Sequence, residues 1–343
     1  MRRFLIVTAF LPVIALAQDL RTGEEITVER ILIDARVTDY NGDPVTDLEL
    51  SDFEVRVGGK RATIESVEWI PDTFEARVLA GLNEGKVDPE QPIAPRGRMF
   101  IYFVQTDFAR NASRVRGHVK FMSFVEGMIE SLDDEDRVAV FSFDSHLKFR
   151  LDFTSEKRDI IHAMRQAVLI DDPAWPQVVP NPSLSRRLDR ETMRSFTTSD
   201  EAFIHIANAA RHIPGPKSMI LFGWGLGHLV GGRVSMDSKY PAARRALEQA
   251  RVTVFSLDTS DADYHDLEFG LGKAAKDTGG FYAKTHIFPQ IAVDRLQRTL
   301  AGHYELEVRR PAGLAEGTHE IDVRVKRRGT YVMARSSFVD EAR

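Results

Sequence analysis

The chain reads as an α/β protein: a doubly wound, mostly parallel Rossmann-like sheet, inserted in or flanked by a β-sandwich built from N- and C-terminal strands. Three observations predict this. Apolar residues alternate with period two near both ends, with Ile31, Ile33, Ala35 and Val37 on one face early and Tyr304, Leu306 and Val308 late. Between them, from Arg98 onward, strand-like apolar runs alternate with helical three- and four-residue spacing, the pattern of a parallel sheet covered on both faces. With 343 residues, of which 43% are hydrophobic, the chain can bury one sizeable core and a smaller one.

At the start, Arg2 and Arg3 precede the apolar run Phe4–Leu16, and Ala15-Leu16-Ala17 follows the small-residue cleavage pattern, so residues 1–17 are expected to be a secretory signal peptide. An apolar run this short falls below the roughly 20 residues that span a bilayer, and no later run is long enough, so no membrane span is expected in the mature chain. The formal net charge of −5 becomes more negative when Arg2 and Arg3 leave, which argues against a nucleic-acid partner. Cysteine is absent, which excludes disulfides, thiol chemistry and cysteine lipidation. A periplasmic or extracellular bacterial protein fits these features.

Residues 22–70 form the N-terminal β segment, with turns at Asn41-Gly42-Asp43-Pro44 and Gly58-Gly59 and a second apolar face at Phe53, Val55 and Val57. Residues 71–97, carrying Pro71, Pro89, Pro92 and Pro95, read as a linker. The α/β unit spans 98–301. Strand Met99–Val104 leads into a helix from about Ala112, whose apolar positions Val115, Val119, Met122, Val125, Ile129 and Leu132 predict one buried face. The paired strands Arg137–Phe143 and Leu147–Phe153 follow, then a helix burying Ile160 and Met164 with Thr154-Ser155 as its cap. A helix bearing Phe203, Ile206 and Ala210 stops at Pro214-Gly215-Pro216 before strand Ser218–Phe222. Helix Pro241–Gln249, strand Val252–Leu257, helix Asp266–Asp277, strand Phe281–Ala283 and helix Pro289–Leu300 complete the unit. Residues 302–340 form the C-terminal β segment. The two β segments are expected to share one sandwich, because each alone leaves an apolar face uncovered; two separate small modules are the alternative.

The segment order resembles bacterial von Willebrand factor A-related proteins of the acidobacterial type. The resemblance rests on VTDYNGDPVTDLELSDFEV (Val37–Val55), LDDEDRVAVFSF (Leu132–Phe143), LDFTSEKRDI (Leu151–Ile160), IPGPKSMILFGWG (Ile213–Gly225), AKDTGGFY (Ala275–Tyr282) and HEIDVRVKRRGTYVMARSSF (His319–Phe338). It implies an exported A-type domain flanked by β structure, and no enzyme activity.

The resemblance also implies where a metal-ion-dependent adhesion site would stand, with an Asp-x-Ser-x-Ser turn after the first strand. This chain has Gln105, Thr106, Asp107, Phe108 and Ala109 there: with Gln105 at the motif Asp the anionic ligand is gone, with Asp107 there Ala109 and Asn111 replace both serines, and Phe222 leads into Gly223-Trp224-Gly225-Leu226-Gly227 where a second acid is expected. A divalent ion needs fixed negative oxygens in near-octahedral array. With Gln105, Asp107 and Thr198 as the degenerate site positions, no metal and no cofactor are expected.

Other constellations read as structural. Gly223–Gly227 matches neither phosphate-loop spacing nor a nucleophile elbow. Asp258-Thr259-Ser260-Asp261 and the acidic run Asp133–Asp136 read as solvated turns. Ten histidines form no metal-binding pair, although His205 and His212 share one helix face. The insertion Asp171–Ser199, with four prolines, is either a binding loop or a floppy link. The expected function is non-catalytic binding of a protein partner through the loop rim, by Phe108, Trp175, Arg186, Arg187 and Trp224. Alternatives are a metal-dependent (Mg/Ca) adhesion domain with a degenerate site, and an enzyme on an α/β fold.

Overall fold

The computed structural model describes residues 30–72, 97–106, 111–180 and 182–340. The expected leader, most of the expected linker, Asp107 and Phe108 lie outside the described residues.

The early strands are β1 (Arg30–Thr38), β2 (Phe53–Val57), β3 (Lys60–Arg61) and β4 (Thr63–Pro71). In the α/β layer, β5 (Met99–Gln105) is followed by α1 (Ala112–Glu130), β6 (Arg137–Phe143), β7 (Leu147–Thr154), α2 (Lys157–Ala167), α3 (Arg190–Arg194) and α4 (Ser199–Ala210). Then come β8 (Lys217–Gly223), the hairpin β9 (His228–Val230) and β10 (Arg233–Ser235), α5 (Tyr240–Gln249), β11 (Val252–Asp258), α6 (Glu268–Thr278), β12 (Tyr282–Lys284) and α7 (Pro289–Thr299). The chain closes with β13 (Gly302–Arg309), β14 (Gly317–Val325), β15 (Tyr331–Ala334) and β16 (Ser337–Asp340).

The six-stranded sheet has the order β12-β11-β8-β5-β6-β7. All neighbours run parallel except β7, which is antiparallel to β6. Strands β5 and β8 are buried along their whole length, as continuous apolar strands between two helix layers must be. The terminal strands interleave in two four-stranded sheets, β15-β1-β13-β4 and β16-β14-β2-β3. Ile31, Ile33, Val37, Phe53, Val55, Val57, Leu306 and Val308 fill their shared core. Tyr304 sits at its centre, its ring edge-on to Phe53 and Trp69, its hydroxyl donating to the Val45 carbonyl and accepting from Leu48 N, both at 2.9 Å. One sandwich shared by both ends of the chain is therefore what forms, and the alternative of two separate modules does not hold.

The sequence pattern misplaced the buried stripe of α1. Val125 and Ile129 are buried, but Val115 and Val119 are exposed, and Gly117, His118 and Phe121 face inward instead. Gly117 explains the rotation: a Cβ there would lie 1.8 Å from the Thr259 carbonyl oxygen, so the helix backbone packs directly on the chain after β11. Buried His118 is held neutral, its pKa lowered to about 4 by desolvation, with Nδ1 3.0 Å from Thr259 Oγ1.

In the acidic run Asp133–Asp136, expected to be solvated, Asp134 is exposed but Asp136 is buried. Asp136 accepts from Arg98 N, Nε and Nη2 and from Asp133 N, and so ties the start of β5 to the start of β6. Helix α2 begins at Glu156, which has no side-chain cap, while Thr154 Oγ1 accepts from Glu156 N at 3.1 Å. The insertion is anchored rather than floppy. Buried Asp152 accepts from Ser183 Oγ, Leu184 N and Ser185 N, and Leu184, Leu188 and Met193 enter the main core.

Candidate functional site

Strands β5 and β8 are neighbours in the sheet, yet β5 leads on to β6 on one side and β8 leads on to β11 on the other. Their C-terminal ends form the crevice where open α/β sheets bind ligands. Gln105 ends β5 and is buried. Its Oε1 accepts from Trp224 N at 3.0 Å and Gly225 N at 3.2 Å, and its Nε2 donates to the Gly225 carbonyl at 2.7 Å and to Ser199 Oγ at 3.4 Å. One amide thus stitches β5 to the turn after β8 and to the start of α4. The amide offers donor and acceptor together; a carboxylate at this position would face the Gly225 carbonyl with no proton to give. Gly225 keeps the turn tight, since a Cβ would come within 2.5 Å of the Leu267 Cβ.

A cleft of about 330 Å³ opens beside this amide, bordered by Thr106, Asp144, Thr198, Asp200, Trp224 and Asp237 among others. Thr106 Oγ1 is committed to the Ala167 carbonyl at 2.8 Å. Thr198 caps α4, accepting from Glu201 N while the Glu201 side chain reaches back to the Thr198 backbone. Burial raises Asp144, but Lys148 Nζ at 2.5 Å and the Ser145 N–H outweigh it and hold the carboxyl below its usual range.

Asp200 differs. It is 3% exposed, and its Oδ1 has no hydrogen-bond partner among the described residues. Desolvation, and after it the charge of Asp237, push its pKa up to about 6. On the rim, the Arg114 guanidinium lies 3.5 Å from the centre of the Trp224 ring. The hairpin β9–β10 rises next to the cleft with Leu229 and Val230 exposed, its tip turned by Gly231 and Gly232 at positive φ.

Among the described residues, those present do not fit the divalent-ion site that the resemblance implies. Gln105 is neutral, both faces of its amide are engaged, and Trp224 stands where an acid is needed. Two further clusters bring acids and histidine together, Asp34/His303/Glu305 and Asp258/His265/Glu268. In the first, Arg251 bridges Asp34 and Glu305. In the second, Asp258 is buried, not solvated as its turn-like sequence suggested. It accepts from Ser260 N, Ser260 Oγ and Tyr282 Oη and meets His265 Nε2 at 2.8 Å, while Lys284 pairs with Glu268. Burial raises Asp258, yet these hydrogen bonds hold it low.

Of the residues singled out in the sequence, Gln105, Thr198 and Trp224 meet at the cleft. Trp175 is half-buried elsewhere, edge-on to Phe149 at 5.6 Å, and Arg186 and Arg187 are exposed and do not border the cleft. His205 is half-buried against Phe196 and His212 is exposed, and they join no metal-type cluster among the described residues. Sequence reading missed Asp200, Asp237 and the hairpin. The Thr198-x-x-Glu201 spacing marks a capping box, and an acid between its ends looks like an ordinary helix-start acid. The Gly231-Gly232 pair was the available sign of the hairpin.

No family model matches the chain, and no curated protein matches it. Among solved structures it is similar to the human COPII-coat protein Sec24c (TM-score 0.42, 10% identity, 80% of this chain and 46% of that one). It is also similar to a von Willebrand factor type A protein from Catenulispora acidiphila (TM-score 0.40, 8% identity, 92% and 74%). A third is the manganese-loaded TRAP protein of Plasmodium vivax (TM-score 0.39, 12% identity, 80% and 98%). This chain therefore spans less than half the length of the Sec24c chain. The von Willebrand factor A-like fold is carried by the strand order itself, a parallel sheet with one antiparallel edge and two flanking antiparallel sheets.

Proposed function

We propose that this is an exported, non-catalytic von Willebrand factor A-like protein that holds a protein partner at the loop rim without a metal ion. The observation that carries the reading is Gln105: a neutral amide, saturated by Trp224, Gly225 and Ser199, stands where a metal-dependent site needs a free anionic oxygen. The exposed apolar residues Leu229 and Val230 beside the cleft, with Trp224 and Arg114 stacked on the rim, are the residue types that anchor protein interfaces. Export rests on the leader pattern of Met1–Ala17. No helix among the described residues is long and apolar enough to cross a membrane.

Calorimetric titration of the purified chain with Mg²⁺, Mn²⁺ and Ca²⁺ is expected to show no specific site. Micromolar binding abolished by Asp107→Ala would replace this reading with a degenerate but working metal-dependent adhesion site. Deleting the insertion is a poor test of the partner surface, because Leu184, Leu188 and Met193 belong to the core; Arg186→Glu with Arg187→Glu probes the exposed part without opening it.

A further inference from the structure

We propose that the cleft beside Gln105 receives a cationic side chain, an arginine in preference to a lysine, presented by the protein partner. This rests on the rim-binding reading above and names the chemistry of the residue that enters. Asp200 is nine-tenths and more buried, its Oδ1 has no hydrogen-bond partner among the described residues, and it borders a cleft open to solvent. Its own backbone N–H and the N-terminus of α4 offset part of that charge, yet a desolvated carboxylate with one oxygen unpaired remains costly to the fold. Asp237 borders the same cleft and adds a second negative charge toward it.

The cations already near the cleft are engaged elsewhere. Lys148 is paired with Asp144, Lys239 with Glu201 although it also feels the charge of Asp237, and Arg114 lies over Trp224. His228, at the mouth, is exposed. Arginine is favoured because its planar fork can meet two carboxylates at once, whereas an ammonium acts as a single point charge.

The test is titration of the isotope-labelled full chain, in chelator, with acetyl-Gly-Arg-Gly-amide, its lysine and glutamate counterparts, and separately with Mg²⁺ alone. Backbone amide shifts of residues 198–201 and 225–228 are read. The arginine peptide is expected to shift these signals saturably and more tightly than the lysine peptide, the glutamate peptide to leave them unmoved, and Asp200→Asn to weaken arginine binding at least tenfold. Asp237→Asn, a milder change at a half-exposed position, is expected to weaken it about threefold and serves if Asp200→Asn fails to fold. Equal affinity in the variants, no arginine binding, or preference for glutamate would overturn the proposal while leaving the metal-free rim intact. Tight Mg²⁺ binding lost in Asp200→Asn would overturn both.

Discussion

The two ends of the parallel sheet differ at one buried acid. At the N-terminal end, where the α/β layer meets the sandwich, acids are met by bases. Asp136 takes three donors from Arg98, and Arg251 joins Asp34 of β1 to Glu305 of β13. Asp72 lies 2.8 Å from His303 Nδ1 and 3.7 Å from Arg36. Even Lys217, its pKa lowered to about 7 by desolvation, donates to the Ile213 and Gly215 carbonyls. At the C-terminal end Asp144 and Asp258 are likewise met, by Lys148 and by His265 with Tyr282, but the amide of Gln105 replaces a charge and Asp200 keeps one oxygen bare. The contrast teaches which end is built to hold the molecule together and which is left open to something from outside. Buried charges at the first end fix the orientation of two layers, while the bare acid at the second destabilises the fold locally, as binding sites commonly do.

The largest effect is expected where the comparison is sharpest. Arg98→Met removes the partner of a carboxylate that is 1% exposed and leaves it buried and unmatched. Breaking such a pair costs about 3–5 kcal/mol, which a urea midpoint will register. The double variant Arg98→Met/Asp136→Leu should recover much of that loss, since both charges are then gone. If Arg98→Met alone costs less than about 1 kcal/mol, the supposed rigidity of this end is wrong.

Gln105→Glu, the carboxylate of the same length, tests the other end. The carboxylate keeps the acceptors for Trp224 N and Gly225 N but loses the proton donated to the Gly225 carbonyl, and it brings a negative charge toward Asp200. An unsatisfied buried carbonyl costs about 1–3 kcal/mol, so thermal unfolding is expected to shift down by several degrees. Mg²⁺ should not restore it, because Trp224 supplies no second acid. Full recovery of stability in millimolar Mg²⁺ would show that one substitution rebuilds a cation site and that the two ends differ less than argued.

How much of this was legible beforehand divides along the same line. The strands of both layers were visible because alternation and continuous apolar runs are local patterns that burial enforces residue by residue. The shared sandwich followed from uncovered faces. What sequence could not show is how close two backbones approach, which is why Gly117 turned α1 away from the stripe that Val115 and Val119 suggested. Nor does an acidic run reveal which of its members is buried: Asp136 and Asp258 looked like turn acids, and only the tertiary partners Arg98, His265 and Tyr282 make their burial tolerable. Gln105 was legible as a missing charge. Its fourfold hydrogen bonding was not, because Ser199 and Gly225 are brought to it by the fold.

The smallest expected effect isolates Asp200 by pH. Its folded pKa of about 6, against 3.8 for the free side chain, means that between those values the folded chain binds a proton the unfolded chain has released. Stability from this group is therefore greatest at low pH and falls as pH rises from about 4 through 6, by on the order of 3 kcal/mol. Asp34, Asp144 and Asp258, whose pKa values are lowered, contribute with the opposite sign and mask the trend in the wild-type curve. The difference between wild type and Asp200→Asn cancels them. The variant is expected to match wild type near pH 4 and to unfold at a temperature roughly 4 °C higher at pH 7.5, a reversal of the usual cost of altering a buried residue. A pH-independent gap would mean that Asp200 is met by a partner in solution, and that the rim is as fully paired as the other end of the sheet.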